Sequence, residues 1–350
     1  MKTSVIRSLA VLLLTLNGGW RRYESSLAYS AARFFNRKEA ARPARPGLAP
    51  PPSAPAAALR PLPVVLTTDC GADIDDQWAL AYLLASPQIR LLGVVSTHAP
   101  GLTSSQSAAC ARGILRLMRV KASLPVFPGA NHALTGDQPH MNTGVRFLIH
   151  AARGYSRQAP LTVLTIGATT DVGSALLEVP GIARRIRIIT MGFDRWPQGG
   201  DPWNIKNDPR AYQIILRSAA PLAIGSTSVC KRYLTLDGPQ VDRLMGRRGR
   251  IGRALAQLFH RWLQRHPRLT TREAGRGRWV IWDTIVVARL LGYTRARSVP
   301  RPGLDPRTLA FTHPPTRRHI QWITTVQSRR MWANYAAKLD GYRAALHLAR

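Results

Sequence analysis

The chain has 350 residues, 45% of them apolar, enough to bury a large core, and nothing after its N-terminal stretch has the composition of a disordered segment. Its formal net charge of +32 invites a nucleic-acid partner, but only six of the 50 basic residues are Lys. The Arg residues are scattered through every segment, and no zinc-finger, RRM or basic-zipper pattern accompanies them, which argues against a specific nucleic-acid binder. Three widely spaced cysteines, Cys70, Cys110 and Cys230, indicate neither a disulfide framework nor a zinc site, and an odd number leaves at least one thiol free.

In chain order, residues 1–25 have the layout of an export signal or a retained anchor. A basic start ending at Arg7 precedes the apolar run Ser8 to Leu16, which is too short to span a bilayer. No clear small-residue cleavage site follows, so export to the periplasm or the medium and residence in the cytoplasm both stay open. Residues 26–62 turn rich in Pro, Ala and Arg, a composition that cannot build a core and reads as an extended linker. The folded domain is expected over residues 63–350. Its first strand, Pro63 to Leu66, is a short apolar run.

Directly after that run comes Asp69-Cys70-Gly71-Ala72-Asp73-Ile74-Asp75-Asp76, which holds four of the chain's 18 acidic residues. Capping a helix uses one or two carboxylates; four in eight positions need a cation. A strand that empties into a Gly-containing acidic turn and then a helix, Gln77 to Leu84, places oxygen ligands where open α/β sheets bind ligands, and hard oxygens suit Ca²⁺ or Mg²⁺. The pattern is not that of an aspartyl-phosphate phosphatase, which wants D-x-D-x-[TV].

Strand and helix then alternate. Leu91–Thr97 is a buried strand, Ser105–Met118 a helix, Leu124–Gly129 a short strand, Gly144–Ala152 a helix, and Leu161–Ile166 a strand followed by Gly167-Ala168-Thr169-Thr170-Asp171 and the helix Val172–Leu177. Arg187–Gly192 and Pro221–Ile224 are further strands. Repeated βα units with near-continuous apolar strands predict an α/β fold: an open, mainly parallel, Rossmann-like sheet flanked by helices on both faces.

The acidic turn, the Gly167–Asp171 turn, Met191-Gly192 with Asn204 and Asp208 behind it, and Trp282-Asp283-Thr284 together resemble the inosine/uridine-preferring nucleoside hydrolases. The similarity runs over roughly residues 63–345, with the acidic turn close to the longer D-T-D-x-G-x-D-x-D-D form and Thr67 in place of its first Asp. The resemblance implies that Asp69, Asp76, the main-chain carbonyl of Thr170 and Asp283 hold Ca²⁺, with Mg²⁺ the weaker fit. It implies that this ion readies a water for attack on the anomeric carbon of a small nucleoside-like substrate, with Asp69 as general base. Asp75 would hold a ribose hydroxyl and Asn204 another. Asp73, the extra carboxylate, reads as a supporting or capping group, and Asp171 as a cap on the helix it precedes. The family also implies a homo-oligomer, a dimer or tetramer.

The departures fall on the sugar and base half. Trp282 stands where the family carries a His able to protonate the leaving base; its ring could stack on a nucleobase instead. Pro202 replaces a Glu, with Asp201 adjacent as a substitute, and His98 lies in a loop that lacks the usual Asn, where it could contact substrate. Two other readings are kept open: the same fold and metal acting on a different glycoside or polyol, and a non-enzymatic basic binding protein.

Overall fold

The computed structural model describes residues 61–120, 124–200 and 203–348, and the export or anchor segment and the linker up to residue 60 lie outside the described residues. Strand β1 (Leu62–Thr68) starts one residue before its expected position and runs through the middle of an eight-stranded sheet. Its neighbours are β2 (Ile89–Ser96) on one side and β4 (Leu161–Thr165) on the other, both parallel to it. Beyond β2 lies the short β3 (Val126–Pro128), and beyond β4 lie β5 (Ile186–Met191) and β6 (Leu222–Gly225), all parallel.

The complete order is β3-β2-β1-β4-β5-β6-β8-β7, with β8 (His319–Val326) parallel to β6 and β7 (Thr294–Pro300) antiparallel to β8 at the edge. From β1 the chain builds outward through β2 to β3, then returns past β1 to build the other half. The order therefore reverses between β1 and β4, which is the switch point at which doubly wound sheets bind their ligands.

Period-two alternation sends successive β1 side chains to opposite faces. Val64 and Leu66 join the core cluster that contains Trp78, Phe259 and Tyr335, whereas Val65 joins the one that contains Val163, Ile188 and Tyr212. With both faces covered, the strand must be apolar throughout. Helix α1 (Asp75–Leu84) is buried along almost its whole length, which no surface helix could be. The long C-terminal helix, Ser328–Leu348, closes over it: the Tyr335 hydroxyl donates to the Trp78 carbonyl oxygen at 2.7 Å, and Tyr335 stacks on Tyr82 with centroids 4.2 Å apart.

Helices α2 (Ser104–Leu117) and α3 (Thr143–Arg153) start on Thr103 and Asn142, whose side chains accept from the backbone N–H of Gln106 and Val145. Helix α4 (Thr170–Glu178) departs from expectation at its cap. Asp171 lies inside its first turn and reaches away from it, accepting from the Ala130 backbone N–H at 3.0 Å and from Asn142 Nδ2 at 2.8 Å. It ties the loop after β3 to the start of α3, so it stitches neighbours together and does not cap its own helix.

Leu66 is fully buried at the centre of the sheet. Leu66→Ala should lower unfolding stability by about 2–5 kcal/mol through lost transfer energy and the cavity left behind, measured as a shift of the urea midpoint at unchanged slope.

Candidate active site

The site grows out of the carboxyl end of β1. The chain leaves the strand at Asp69, turns with the Ala72 N–H donating back to the Asp69 carbonyl at 2.9 Å, and passes Gly71 at φ 104°, a left-handed conformation for which glycine is the natural residue. Helix α1 then begins at Asp75, with Asp75 and Asp76 in its first turn, where the positive end of the helix dipole favours carboxylates. The Thr68 hydroxyl donates to Asp76 Oδ1, clipping the helix start to the strand end. From the far end of the sequence, Asp283 arrives just before the helix Thr284–Leu290, and its backbone N–H donates to Asp75 Oδ2 at 3.2 Å.

The side chains of Asp75, Asp76 and Asp283 each offer an oxygen, all within 4.8 Å of one another. This trio differs from the expected ligand set by containing Asp75 and leaving Asp69 outside the tight group. The cause is visible in their partners. Asp75 is drawn in by the Asp283 N–H, whereas Asp69 is held on the other side by the Trp203 indole N–H, which donates to Asp69 Oδ2 at 3.1 Å. Asp69 also lies against the turn after β4: a Cβ on Gly167 would stand 2.7 Å from the Asp69 nitrogen and 2.8 Å from its Oδ1. Thr170, three residues on, sends its hydroxyl to Asp208 Oδ2 at 2.6 Å, and Asp208 in turn accepts from the backbone of Leu134 and Ala211.

Asp69, Asp75, Asp76 and Asp283 are all buried, and like Asp73 none of them is paired with a Lys or Arg among the described residues, in a chain that carries 50 basic residues. Burial pushes Asp69 up to about 7 and Asp75 up to about 6; burial and mutual repulsion hold Asp73, Asp76 and Asp283 well above the usual carboxylate range. Removing several carboxylates from water without counter-charge is unfavourable by several kcal/mol per ion. A bound divalent cation with a preference for hard oxygen removes that cost, and the donor set of carboxylates is the one such a cation takes.

Three tryptophans border the carboxylates. Trp203 holds Asp69. Trp279 donates its indole N–H to Asp73 Oδ1 at 3.1 Å, giving Asp73 a supporting place. Trp282 is half-buried beside Asp283, edge-on to Trp279 with centroids 6.1 Å apart, and has Lys231 Nζ at 5.9 Å from its ring centre. Asn204 is buried and donates to the Met191 carbonyl oxygen at the end of β5, at 3.2 Å. His98 is buried too, with Nδ1 at 3.3 Å from the Ala130 carbonyl oxygen and Nε2 at 3.4 Å from that of Asn207, so it bridges two loops. Asp201 lies outside the described residues. Sequence reasoning missed Trp203 altogether, and quoted Gly167 and Asp208 within the motifs of the resemblance without giving either a role in the site. The only signal for Trp203 was its position directly before Asn204.

A carboxylate cluster at the switch point of a doubly wound sheet defines the class: an α/β protein whose ligand site is built for a cation. Residues 64–332 match the family model of the inosine-uridine preferring nucleoside hydrolases, and the chain belongs to that family. It is a hydrolase of N-glycosyl compounds in a metal-dependent family, and ribonucleosides fit as its substrate class. Among its relatives, the pyrimidine-specific ribonucleoside hydrolase RihA of Enterobacter sp. (strain 638) is 26% identical over 235 residues, covering 59% of this chain and 72% of the relative. Two solved structures share the fold, each with a TM-score of 0.67 over 80% of this chain. One is the purine-preferring ribonucleoside hydrolase from Gardnerella vaginalis, 21% identical with 98% of it covered. The other is a plant nucleoside hydrolase, 16% identical with 99% of it covered.

Two outcomes follow from the crowded carboxylates. Their acidities in the unfolded chain sit near 3.8, and in the folded chain Asp75 is near 6 and Asp69 near 7, so the folded state holds protons the unfolded state has released. That contribution to stability is complete below pH 3.8 and is lost as pH rises through 6 to 7. The chelator-treated protein should therefore melt at progressively lower temperature over this window in differential scanning calorimetry, and added Ca²⁺ should restore the loss at the neutral end. Gly167→Ala, which pushes a methyl group against Asp69, should weaken Ca²⁺ binding at least tenfold, about 1.4 kcal/mol, by isothermal titration calorimetry.

Proposed function

We propose that the chain hydrolyses ribonucleosides with Ca²⁺ as the resident cation and water as the nucleophile. The observation that carries this reading is the convergence of buried carboxylates from the start of α1 and the Asp283 segment, with the buried Asp69 in the same acidic turn and no Lys or Arg paired with them among the described residues. Asp75, Asp76 and Asp283 would hold the cation, joined by Asp69 and the Thr170 carbonyl. Calcium suits a cage assembled from three separate stretches of chain, because it accepts irregular sets of six to eight oxygens where Mg²⁺ demands a near-ideal octahedron. When bound, the cation lowers the pKa of a water and positions it for attack.

Asp69 would take the proton from the attacking water. Burial raises its carboxyl to about 7 before any cation is counted, and a cation beside it would favour the ionised form that a base requires. Trp203 supplies the hydrogen bond that fixes which way this carboxylate faces. Cleavage of a C–N glycosidic bond builds positive charge on the sugar, and the surrounding carboxylates stabilise it. Asn204, anchored to the end of β5, borders the space for the sugar, and Trp282 offers an aromatic face to the leaving base. His98 is given a positioning role here in place of substrate contact, since both ring nitrogens face backbone carbonyls.

A second reading keeps the fold and cation and changes the substrate to another glycoside or polyol. Trp282 in the place of an acid-donating His, and Pro202 in the place of a Glu, favour it.

One experiment separates the two. The purified chain is incubated with a panel of purine and pyrimidine ribonucleosides, with and without chelator, and free base and reducing sugar are followed. Cation-dependent release of base from at least one ribonucleoside is expected; release from none, with turnover of a non-nucleoside glycoside, would select the second reading. Asp69→Ala should lower kcat by about 10²–10⁴-fold, and Trp282→Ala should raise KM several-fold for aromatic leaving groups, as a stacking contact of about 1 kcal/mol requires, with little change in kcat.

A further inference from the structure

Cys70 follows Asp69 in the acidic turn, and Cys110 lies in the middle of α2, forty residues further on. Nothing in the proposed chemistry uses either thiol. Both are buried in the same apolar cluster, and their sulfurs stand 2.8 Å apart, well inside the separation at which two unbonded sulfurs rest and approaching the S–S bond of about 2.05 Å. Gln77 Nε2, from the first turn of helix α1, donates to Cys110 Sγ at 3.4 Å, so the pair sits between the acidic turn, α1 and α2. The third cysteine is placed elsewhere: Cys230 Sγ lies 3.6 Å from the Trp282 carbonyl oxygen.

We infer that Cys70 and Cys110 form a cross-linking site, joined as an intramolecular disulfide when the chain folds in the presence of a disulfide oxidant, and that this link braces the carboxylate turn against α2. In balance, the Cys70 and Cys110 thiols and one molecule of a small-molecule disulfide such as oxidised glutathione give the protein disulfide and two glutathione thiols. One protein thiolate attacks the glutathione disulfide and releases the first glutathione thiolate; the second protein thiolate then attacks the mixed disulfide and releases the other. Two S–H bonds and one S–S bond are lost and re-formed, the protein sulfurs are oxidised by two electrons, and both protons end on glutathione.

Burial decides when this happens. In the closed structure neither sulfur is reachable by solvent, so a dissolved disulfide cannot meet either thiol. Exchange belongs to the folding chain, before α2 closes over the turn. Once formed, the link is shielded from reductants by the same packing. Its loop spans both β2 and the segment entering α2, so it constrains the unfolded chain over a long stretch.

The inference does not rest on the hydrolytic reading, and its test reads mass and melting rather than turnover. The full chain is unfolded, refolded with either oxidised and reduced glutathione or excess dithiothreitol, and then denatured without reductant in iodoacetamide. The glutathione-refolded chain should take up one carbamidomethyl group, on Cys230, where the reduced chain takes up three, one per cysteine. It should yield a tryptic peptide pair joined through Cys70 and Cys110, and melt at least about 3 °C higher than the reduced chain. Cys230→Ser should keep the link, and Cys110→Ser should abolish both the link and the melting difference. Three alkylated cysteines after oxidative refolding, a link made through Cys230 or to a second chain, or equal melting temperatures with the link in place would each overturn it.

Discussion

The molecule is organised around an electrostatic conflict: four buried aspartates, Asp69, Asp75, Asp76 and Asp283, with the half-buried Asp73 beside them, repel one another where water screens them poorly, and no basic side chain among the described residues pairs with them. In a chain with almost three basic residues for every acidic one, that arrangement cannot arise from an unbiased scatter of charge. The tertiary structure has to hold these groups together against their repulsion. It does so with a strand fixed on both sides, a helix buried all round, and a C-terminal helix locked onto that helix through Tyr335 and Trp78. Rigidity of the scaffold and concentration of charge are therefore one feature viewed from two levels.

The neutral hydrogen-bond donors around the cluster are the second part of that arrangement. Thr68, Trp203, Trp279 and the Asp283 backbone N–H each satisfy a single carboxylate oxygen without carrying a formal charge. A Lys or Arg in any of these places would neutralise the site and compete with a divalent cation for it. Indole and hydroxyl donors orient the carboxylates and leave their charge available. The Trp-rich border is thus consistent with cation binding at the same time as it provides flat apolar surfaces next to the site.

Much of this was legible in the sequence because it is local. The eight-residue acidic turn announces itself by composition, and the β1, β2, β4 and β5 strands are apolar runs because both faces of the sheet are covered. What stayed hidden is non-local. Strand β7, with the sequence TRARSVP, is an exposed edge strand carrying two Arg residues and gives no apolar run to detect; β8 mixes apolar with polar residues and has no long apolar run, and its insertion between β6 and β7 depends on contacts far along the chain. The same limit applied to side chains. Asp171 has the spacing of a helix cap, yet the loop after β3 offers it Ala130 N–H and Asn142, and those partners take it. Cys70 and Cys110 are unremarkable in the sequence, forty residues apart, until β2 and α2 fold back over the acidic turn.

The division between what the family shares and what this chain alters follows the same physics. The residues proposed to meet the cation come from strand ends and helix starts, where backbone position is set by the sheet; Asp69, Asp76, Thr170 and Asp283 stand at the positions the resemblance implies, and Asp75 joins them through its place in the carboxylate trio. Groups that face sugar and base come from loops and from the short helix Trp203–Asn207, where backbone position depends on side-chain contacts and substitution is easier. Trp282 shows how such a substitution can be accommodated: it lies next to Asp283 in sequence, and its ring packs edge-on against Trp279 with Lys231 near its face. On the proposed reading, an indole in place of an imidazole changes what can be offered to the leaving group. Activation of that group would then come from stacking, from solvent or from the base's own acidity, so the electronic character of the base, more than its hydrogen-bonding edge, would be the property such a site discriminates.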